Sequence, residues 1–356
     1  MKLAFVGDLG LTSSLLPDSL SRIAPEITAV LGACDLAVAN LELPVRPSDA
    51  PVAPYSHPSL RGRPEAWPLL RKAGFGAVCM ASNHCMDSGR KGIAFTRYLA
   101  DRDGLAVFGA GLDEGEARSP AIVDIRGSRI ALLGYCKKGP FTASGARAGA
   151  ALLSPANLEA DIPAVRGECD ILVVSIHAGM EFMEEVHPSV AEAARLAVDL
   201  GADSVVGHHP HVPQPAEVYR GKPVFYSLGN FLFDNRAGAS ACTVQWERRH
   251  KGLLAVVAFE KGTAPSFEIF GTEYDAGELR VGLSAAAPST PAASGLRSED
   301  ADRAGLGRIA RREAATILEL TRLHGPAFLL SLASDLRPRH LRMLWNALVK
   351  RGGAHR

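Results

Sequence analysis

Gly207-His208-His209-Pro210-His211-Val212 holds three of the chain's eleven histidines within four positions. The apolar run Asp203-Ser204-Val205-Val206 before it reads as a short buried strand, and Pro210 then stops regular structure. The histidines are therefore expected on a strand-end loop. Two imidazoles spaced H-x-H on an extended segment face the same side, because strand side chains alternate with period two. On that logic His209 and His211 face one point, which a metal ion or an anionic substrate could occupy, and His208 faces away. Histidine pairs also serve as hydrogen-bonded loop residues, so the motif gains weight only from its company.

That company lies upstream, at the ends of other apolar runs. Lys2 to Val6 reads as a strand ending in Gly7-Asp8-Leu9-Gly10. A carboxylate directly after a buried strand is how an α/β protein presents an acid at the carboxyl edge of its sheet. Cys34 to Ala39 reads as a second strand and ends in Asn40-Leu41-Glu42. Gly76 to Ala81 reads as a third and ends in Ser82-Asn83-His84, with Asp87 three residues on. Asp87 is close enough in sequence to hold the ring and tautomer of His84, and it could equally cap the helix opened by Gly89. Asp170 to Ile176 reads as a strongly apolar strand ending in His177-Ala178-Gly179-Met180-Glu181. Helices are expected over Ser19–Leu31, Glu65–Ala73, Arg90–Ala100, Pro155–Val165 and Pro188–Leu200. The alternation of strand and helix predicts an α/β fold.

Five strand ends thus carry Asp8, Glu42, Asn83-His84, His177 and His209/His211. Strand ends of one sheet converge on one edge. Carboxylate, amide oxygen and imidazole together suit one or two divalent ions among Mn, Fe, Zn, Mg and Ca, or a polyanion. Glu181, Glu184 and Glu185 could shape the pocket or form a solvated helix start, the second reading being preferred for Glu184 and Glu185.

The remaining composition narrows the class. A net charge of +1 gives no basic excess that would call for a nucleic-acid partner, and 6% aromatic residues are too few for a base-stacking platform. The six cysteines include no C-x-x-C pair and mostly sit in apolar runs, which predicts free buried thiols in a reducing compartment. A strand begins at once after Met1, and no apolar stretch has the length of a signal peptide or a membrane span, so a cytoplasmic protein is expected. Residues 1–284 are expected to form the main domain and 285–299, rich in Ala, Ser and Pro, a linker. Residues 300–356 carry eleven Lys/Arg against five Asp/Glu and read as a basic helical extension. Those helices could dock on the domain, contact an anionic partner or support a homodimer.

The same residues carry a family resemblance. Gly7-Asp8, Asn40-Leu41-Glu42, Ser82-Asn83-His84-x-x-Asp87-x-Gly89, His177-x-Gly179-x-Glu181, Gly207-x-His209-Pro210-His211-Val212 and Tyr226-Ser227-Leu228-Gly229-Asn230-Phe231 occur in the order found in the CapA family. This is the capsule and poly-γ-glutamate synthesis group within the calcineurin-like metallophosphoesterase superfamily, and the chain resembles it from about residue 2 to 260. The resemblance implies a four-layer α/β/β/α sandwich. It implies metal ligands at Asp8, Glu42, Asn83, His177, His209 and His211, with His84 beside the metal as general acid/base. Two departures stand out. Gly10 occupies the place where superfamily phosphoesterases carry a histidine, and Asn40-Leu41-Glu42 the place of their bridging aspartate. A single-ion site fits these departures better than a two-metal phosphodiesterase centre.

No serine elbow and no partnered cysteine is visible, so metal-assisted acid–base chemistry without a covalent intermediate is expected. The resemblance implies action on a peptide or poly-γ-glutamate chain, and the wider superfamily implies phosphoester hydrolysis. Epimerisation at a peptide Cα, as in CapA-like proteins acting on lasso-type precursor peptides, needs an acid and a base on opposite faces. His84 with Asp87, and His209 or His211 with Asp8, would supply them. A non-catalytic capsule-assembly role, with a structural metal, is the alternative of a different class.

Overall fold

The computed structural model describes residues 1–11, 19–47, 62–233, 250–275, 278 and 280–284. The expected linker and basic helical extension, Cys242 and most of the proline-rich stretch after Pro44 lie outside the described residues. The first half alternates as expected: β1 (Lys2–Leu9), α1 (Pro25–Gly32), β2 (Leu36–Leu41), α2 (Pro68–Ala73), β3 (Phe75–Cys79), α3 (Gly89–Asp103) and β4 (Ala106–Phe108). Short β5 (Ala110–Gly111) and α4 (Glu114–Arg118) lead into β6 (Ala121–Ile125), β7 (Ser128–Cys136) and β8 (Gly149–Ala150). Then follow α5 (Pro155–Arg166), β9 (Ile171–His177), α6 (Pro188–Asp199), β10 (Ser204–His208), β11 (Ala216–Tyr219) and β12 (Lys222–Phe225). The described chain closes with β13 (Asn230–Leu232), β14 (Lys251–Ala258), β15 (Ser266–Asp275) and β16 (Arg280–Leu283).

Two sheets result. The first has the order β16-β15-β14-β1-β2-β3-β4, with β13 attached to β1, and the second has the order β11-β12-β10-β9-β7-β6. β1 to β4 are mutually parallel, as are β7, β9, β10 and β12. Parallel strands are covered on both faces, which is why β1, β2 and β9 read as continuous apolar runs. The period-two rule decides which layer each residue enters. From β7 and β9, Ile130, Leu132, Ile171 and Val173 join Phe5, Val38 and Phe108 of the first sheet in one core. Their neighbours Leu133, Tyr135, Leu172 and Val174 pack with Leu158, Ile162, Val190 and Ala194 of α5 and α6. On the outer side of the first sheet, Ile27, Leu31, Leu69, Leu70, Ile93 and Leu99 from α1, α2 and α3 bury into the first core. Helix, sheet, sheet, helix is the four-layer sandwich that the resemblance implied.

Proline sets the helix starts. Pro25, Pro68, Pro155 and Pro188 each occupy a first helical position, where the missing N–H costs nothing and φ is already helical. This corrects two expected helices. The stretch from Ser19 is a 3-10 turn to Arg22 with α1 starting only at Pro25, and Pro64–Ala66 is a 3-10 turn with α2 starting at Pro68. Ala24 before Pro25 is extended, as a following proline favours, whereas Trp67 before Pro68 keeps helical backbone and joins the 3-10 turn directly to α2.

β1 changes partners along its length. Lys2 to Val6 pair antiparallel with β14, whereas Asp8 and Leu9 pair parallel with Asn230 and Leu232 of β13. On its other edge β1 runs beside β2, and Asp8 stands level with Asn40. The switch falls at Gly7, whose Cα faces the carbonyl of Gly229 so closely that a Cβ there would lie 2.1 Å from that oxygen.

Candidate metal centre

The five strand ends come together, with one correction to their origin. They arise from both sheets, β1 to β3 in the first and β9 and β10 in the second, and not from one sheet edge. Asp8, Glu42 and His177 are wholly buried, and one ligand atom from each lies within 4.8 Å of the others. Glu181, His209 and His211 form a second group by the same measure. The groups adjoin: the His177 and His209 rings are 4.9 Å apart, and His211 Nδ1 is 3.0 Å from Asp8 Oδ2.

Asn40, quoted in the sequence motif without a role, is the hub of the first group. Its Nδ2 donates to Asp8 Oδ1 at 2.8 Å and to Glu42 Oε2 at 3.4 Å, and lies 3.5 Å from His177 Nδ1. Across from it, His177 Nε2 is 2.8 Å from Asn83 Oδ1 and 3.4 Å from Glu42 Oε1. Asn83 therefore joins the same donors. The backbone around Glu42 and His84 is tied through Ser82, whose hydroxyl donates to the Glu42 carbonyl at 2.7 Å and accepts from the His84 amide at 3.1 Å.

His209 and His211 meet as expected, but the reason differs. β10 ends at His208, and His209 and His211 have φ of 98° and 57°. This is left-handed backbone, sparse for residues with a Cβ and common where a site over-determines the chain. The extended H-x-H geometry does not apply. His208, expected to face away, is the residue that still obeys the strand, and its side chain points between the sheets with Nδ1 3.3 Å from Asp8 Oδ1. The loop carrying Glu181 is clamped over His211. The Phe182 ring stacks on it at 6.0 Å, the Phe182 amide donates to the Pro210 carbonyl at 2.7 Å, and buried Gln214 donates to the carbonyls of Met183 and Glu185.

The donor set fits a cation. His209 Nδ1 is buried with no hydrogen-bond partner, and the buried oxygens Asp8 Oδ2 and Glu42 Oε1 meet only ring nitrogens of other candidate ligands, His211 at 3.0 Å and His177 at 3.4 Å. Leaving such groups unpaired is costly, and a divalent ion is the chemistry that satisfies carboxylate oxygen and imidazole nitrogen together. Electrostatics agree. Burial, then the charges of Lys137, His177 and His211, hold His209 well below the usual imidazole pKa, so it is neutral and ready to ligate. Burial alone would raise Asp8, but His208 and His211 overcome this and hold its carboxyl well below the usual range. Asn230 Oδ1 and Asp8 Oδ2 lie 2.9 and 3.0 Å from His211 Nδ1 and, as acceptors, put a proton on that nitrogen, which leaves Nε2 as the one that could ligate.

Beside these groups, His84 Nδ1 is 2.9 Å from Asp87 Oδ2, both residues being buried. Burial opposes the imidazolium, but the Asp87 carboxylate, with Glu42 and Glu181, raises the pKa above the ordinary value. Helix α3 is preceded by Ser88, so Asp87 serves the histidine and is not the residue at the cap position. Asn40, His208 and Asn230 were not singled out from sequence as site residues. The asparagines lay inside quoted motifs, and that was the available signal.

Comparison with known proteins places this geometry. The family profile described as "Bacterial capsule synthesis protein PGA_cap" matches residues 2–235. The chain belongs to that family. Its relatives include the PGA biosynthesis protein CapA of Bacillus subtilis, 31% identical over 250 residues, covering 68% of this chain and 62% of that one. The capsule biosynthesis protein CapA of Bacillus anthracis is 34% identical over 209 residues, covering 56% and 51%. A probable polyglutamine synthesis accessory protein of Mycobacterium tuberculosis is 29% identical over 215 residues, covering 57% and 56%. This family member thus spans about half to three-fifths of the length of the curated relatives it matches. Among solved structures, a putative 5'-nucleotidase from Staphylococcus aureus in complex with alpha-ketoglutarate aligns with a TM-score of 0.43 at 13% identity, over 75% of this chain and 53% of that one. No described helix of this family member is long and apolar enough to cross a membrane.

Proposed function

We propose that this family member is a divalent-metal-dependent enzyme that uses histidine–carboxylate acid–base chemistry on a peptide or poly-γ-glutamate-type chain. The observation that carries the reading is the buried His84–Asp87 pair standing beside two adjoining ligand groups with unsatisfied buried donors. Asp8, Glu42, Asn83 and His177 would hold one ion, and Glu181, His209 and His211 a second or a shared position. A bound ion supplies Lewis-acid polarisation of a substrate oxygen and neutralises charge that develops there. His84, with Nδ1 held by Asp87, presents Nε2 to deliver or take a proton, and its raised pKa keeps it protonated to a higher pH than a free imidazole. Asn40 fixes Asp8, Glu42 and His177 relative to one another.

A second reading, epimerisation at a peptide Cα, is favoured by one specific observation. Among the histidine–carboxylate pairs of the site, His84–Asp87 and His211–Asp8 are close, at 2.9 and 3.0 Å, and share no residue, as a two-base reaction requires. We take residues 1–284 as the working domain, 285–299 as a linker and 300–356 as a basic helical extension. A reducing, cytoplasmic setting is supported by the five free thiols among the described residues, three of them buried. The test is metal content by mass spectrometry with three assays on wild type and His84→Ala: cleavage of poly-γ-glutamate, turnover of bis-p-nitrophenyl phosphate, and deuterium uptake at Cα. Loss of peptide turnover by about 10²–10⁴-fold with metal retained is expected for an acid–base residue. Phosphodiester turnover alone would move the protein to phosphoester hydrolysis. Activity of the whole polymer pathway unchanged in His84→Ala would make it a non-catalytic accessory.

A further inference from the structure

Ser175 lies two residues before His177 on β9, so period two turns its side chain to the same face, between the sheets, where it stands level with Val206 of β10. No role has been given to it so far. Ile171 and Val173, which precede it on that face, belong to the apolar core, so a hydroxyl there needs a reason. Beside it the two sheets leave a cavity of about 10 Å³. Val38, Phe108 and Val173 form part of its apolar wall, and the polar residues Asn40, Ser175 and His208 line it as well. All three polar residues are buried.

Each of the three carries an atom that is poorly satisfied. The Asp8 and Glu42 carboxylates accept from Asn40 Nδ2, which fixes the amide with its nitrogen on their side, and Asn40 Oδ1 has no hydrogen-bond partner among the described residues. Ser175 Oγ has nothing stronger beside it than the thiol of Cys79, a weak donor that lines the same cavity. His208 Nδ1 has Asp8 Oδ1 at 3.3 Å and no hydrogen bond. Asn40 Oδ1 can only accept, so it needs a donor that neither the carboxylates nor the apolar wall can supply. The space holds a single water and nothing larger, and buried water goes where two to four polar groups share such a space.

We infer that one buried water molecule occupies this cavity and that Ser175 is a positioning residue acting through it on the metal centre. The water donates to Asn40 Oδ1 and accepts from the Ser175 hydroxyl. Its remaining hydrogen or lone pair serves His208 Nδ1 in either tautomer. Asn40 and His208 are the groups that approach Asp8 Oδ1, one from each sheet, at 2.8 and 3.3 Å. A water shared by both holds Asp8 from behind and keeps Oδ2 turned to the centre. The role of Ser175 rests on the reading that the centre binds a divalent ion, whereas the water itself does not.

The test uses the full chain. A crystal structure at a resolution that shows ordered water, determined after chelator treatment and again with manganese(II), is expected to show one density peak in the cavity, within hydrogen-bond distance of Ser175 Oγ and Asn40 Oδ1. An empty cavity would overturn the water and the role of Ser175 with it. Titration with manganese(II) reads that role. Ser175→Ala is expected to weaken binding about tenfold, the lower end of what loss of a group behind a metal ligand costs, with Tm close to wild type. Ser175→Thr and Ser175→Val match in shape and differ in the hydroxyl, so tighter binding by the threonine variant is expected whatever the added methyl group costs both. Equal affinity of wild type and Ser175→Ala, or of the threonine and valine variants, would overturn the positioning role. No manganese(II) binding to wild type would overturn the divalent-ion reading and the positioning role, while the density still decides the water.

Discussion

Replacing Gly7 with alanine asks whether the glycine before Asp8 is there for the metal centre or for the turn of the chain. A Cβ on residue 7 would stand 2.1 Å from the Gly229 oxygen and 2.8 Å from its carbonyl carbon, both under 3.0 Å and the first more than an ångström inside the 3.4 Å at which contact becomes ordinary. Both neighbours are backbone, so no side chain can swing away. Either β13 moves out or the Asp8 amide loses its 2.8 Å bond to the Gly229 carbonyl. Overpacking of this kind costs about 1–3 kcal/mol, and a lost backbone hydrogen bond about 1 kcal/mol. The sum is about 2–4 kcal/mol, or a fall in Tm on the order of 3–7 °C for a domain of this size. The displacement also reaches the site, because Asn230 follows Gly229 and orients His211, while Asp8 follows Gly7. Metal affinity is therefore expected to fall about ten- to a hundredfold, as when a group that orients a ligand is lost. Thermal melting by fluorimetry and metal titration read the two effects on the same sample. A Tm within 1–2 °C of wild type with full metal affinity would refute the close approach and the coupling of β13 to the centre.

Two further predictions follow from charges. In the metal-free protein burial opposes the His211 imidazolium, but Asp8 overcomes this and lifts its pKa from 6.5 to about 9. A raised folded pKa means stability that is fully present below about pH 6.5 and is lost as pH rises through about 9, so metal binding should release up to one proton and tighten over that window; calorimetry in buffers of different ionisation heat checks it, and buffer-independent heats would refute it. Arg195 donates to both oxygens of buried Glu217 at 2.9 and 2.8 Å, with the Tyr226 hydroxyl also donating to that carboxylate. Arg195→Met should cost about 3 kcal/mol in urea unfolding, and Arg195→Met with Glu217→Met should recover most of it, since a lone buried charge is worse than none.

Much of this was readable from the chain because its strands are buried on both faces, so apolar runs stand out and their polar endings are conspicuous. Asp8, Glu42, Asn83, His84, His177, His209 and His211 were found that way, and the structure brings all of them to one place. What failed was the extension of strand periodicity past the strand. Pro210 marks the break, but nothing in local composition says that His209 and His211 take left-handed backbone, so His208 was assigned to the wrong face. Asn40 and Asn230 were missed as organisers because their work is done across 32 and 19 residues of sequence, to Asp8 and to His211. Helix starts slipped by a few residues wherever a second proline lay inside the apolar pattern, as at Pro25 and Pro68.

The fork in β1 has a consequence for how the molecule is made. Asp8 lies on β1, yet the residues that settle it come later in the chain, at positions 40, 208, 211 and 230. The centre is thus composed almost wholly of long-range contacts, whose closure entropy must be overcome before any of them rewards the chain. An ion captured there adds its binding free energy to the closed fold as a whole and not to one segment. A chain interrupted or clipped before Asn230 keeps most of its ligands and still lacks the piece that holds them in place. If the centre takes the proposed ion, retention of metal through dialysis would measure whether folding has been completed.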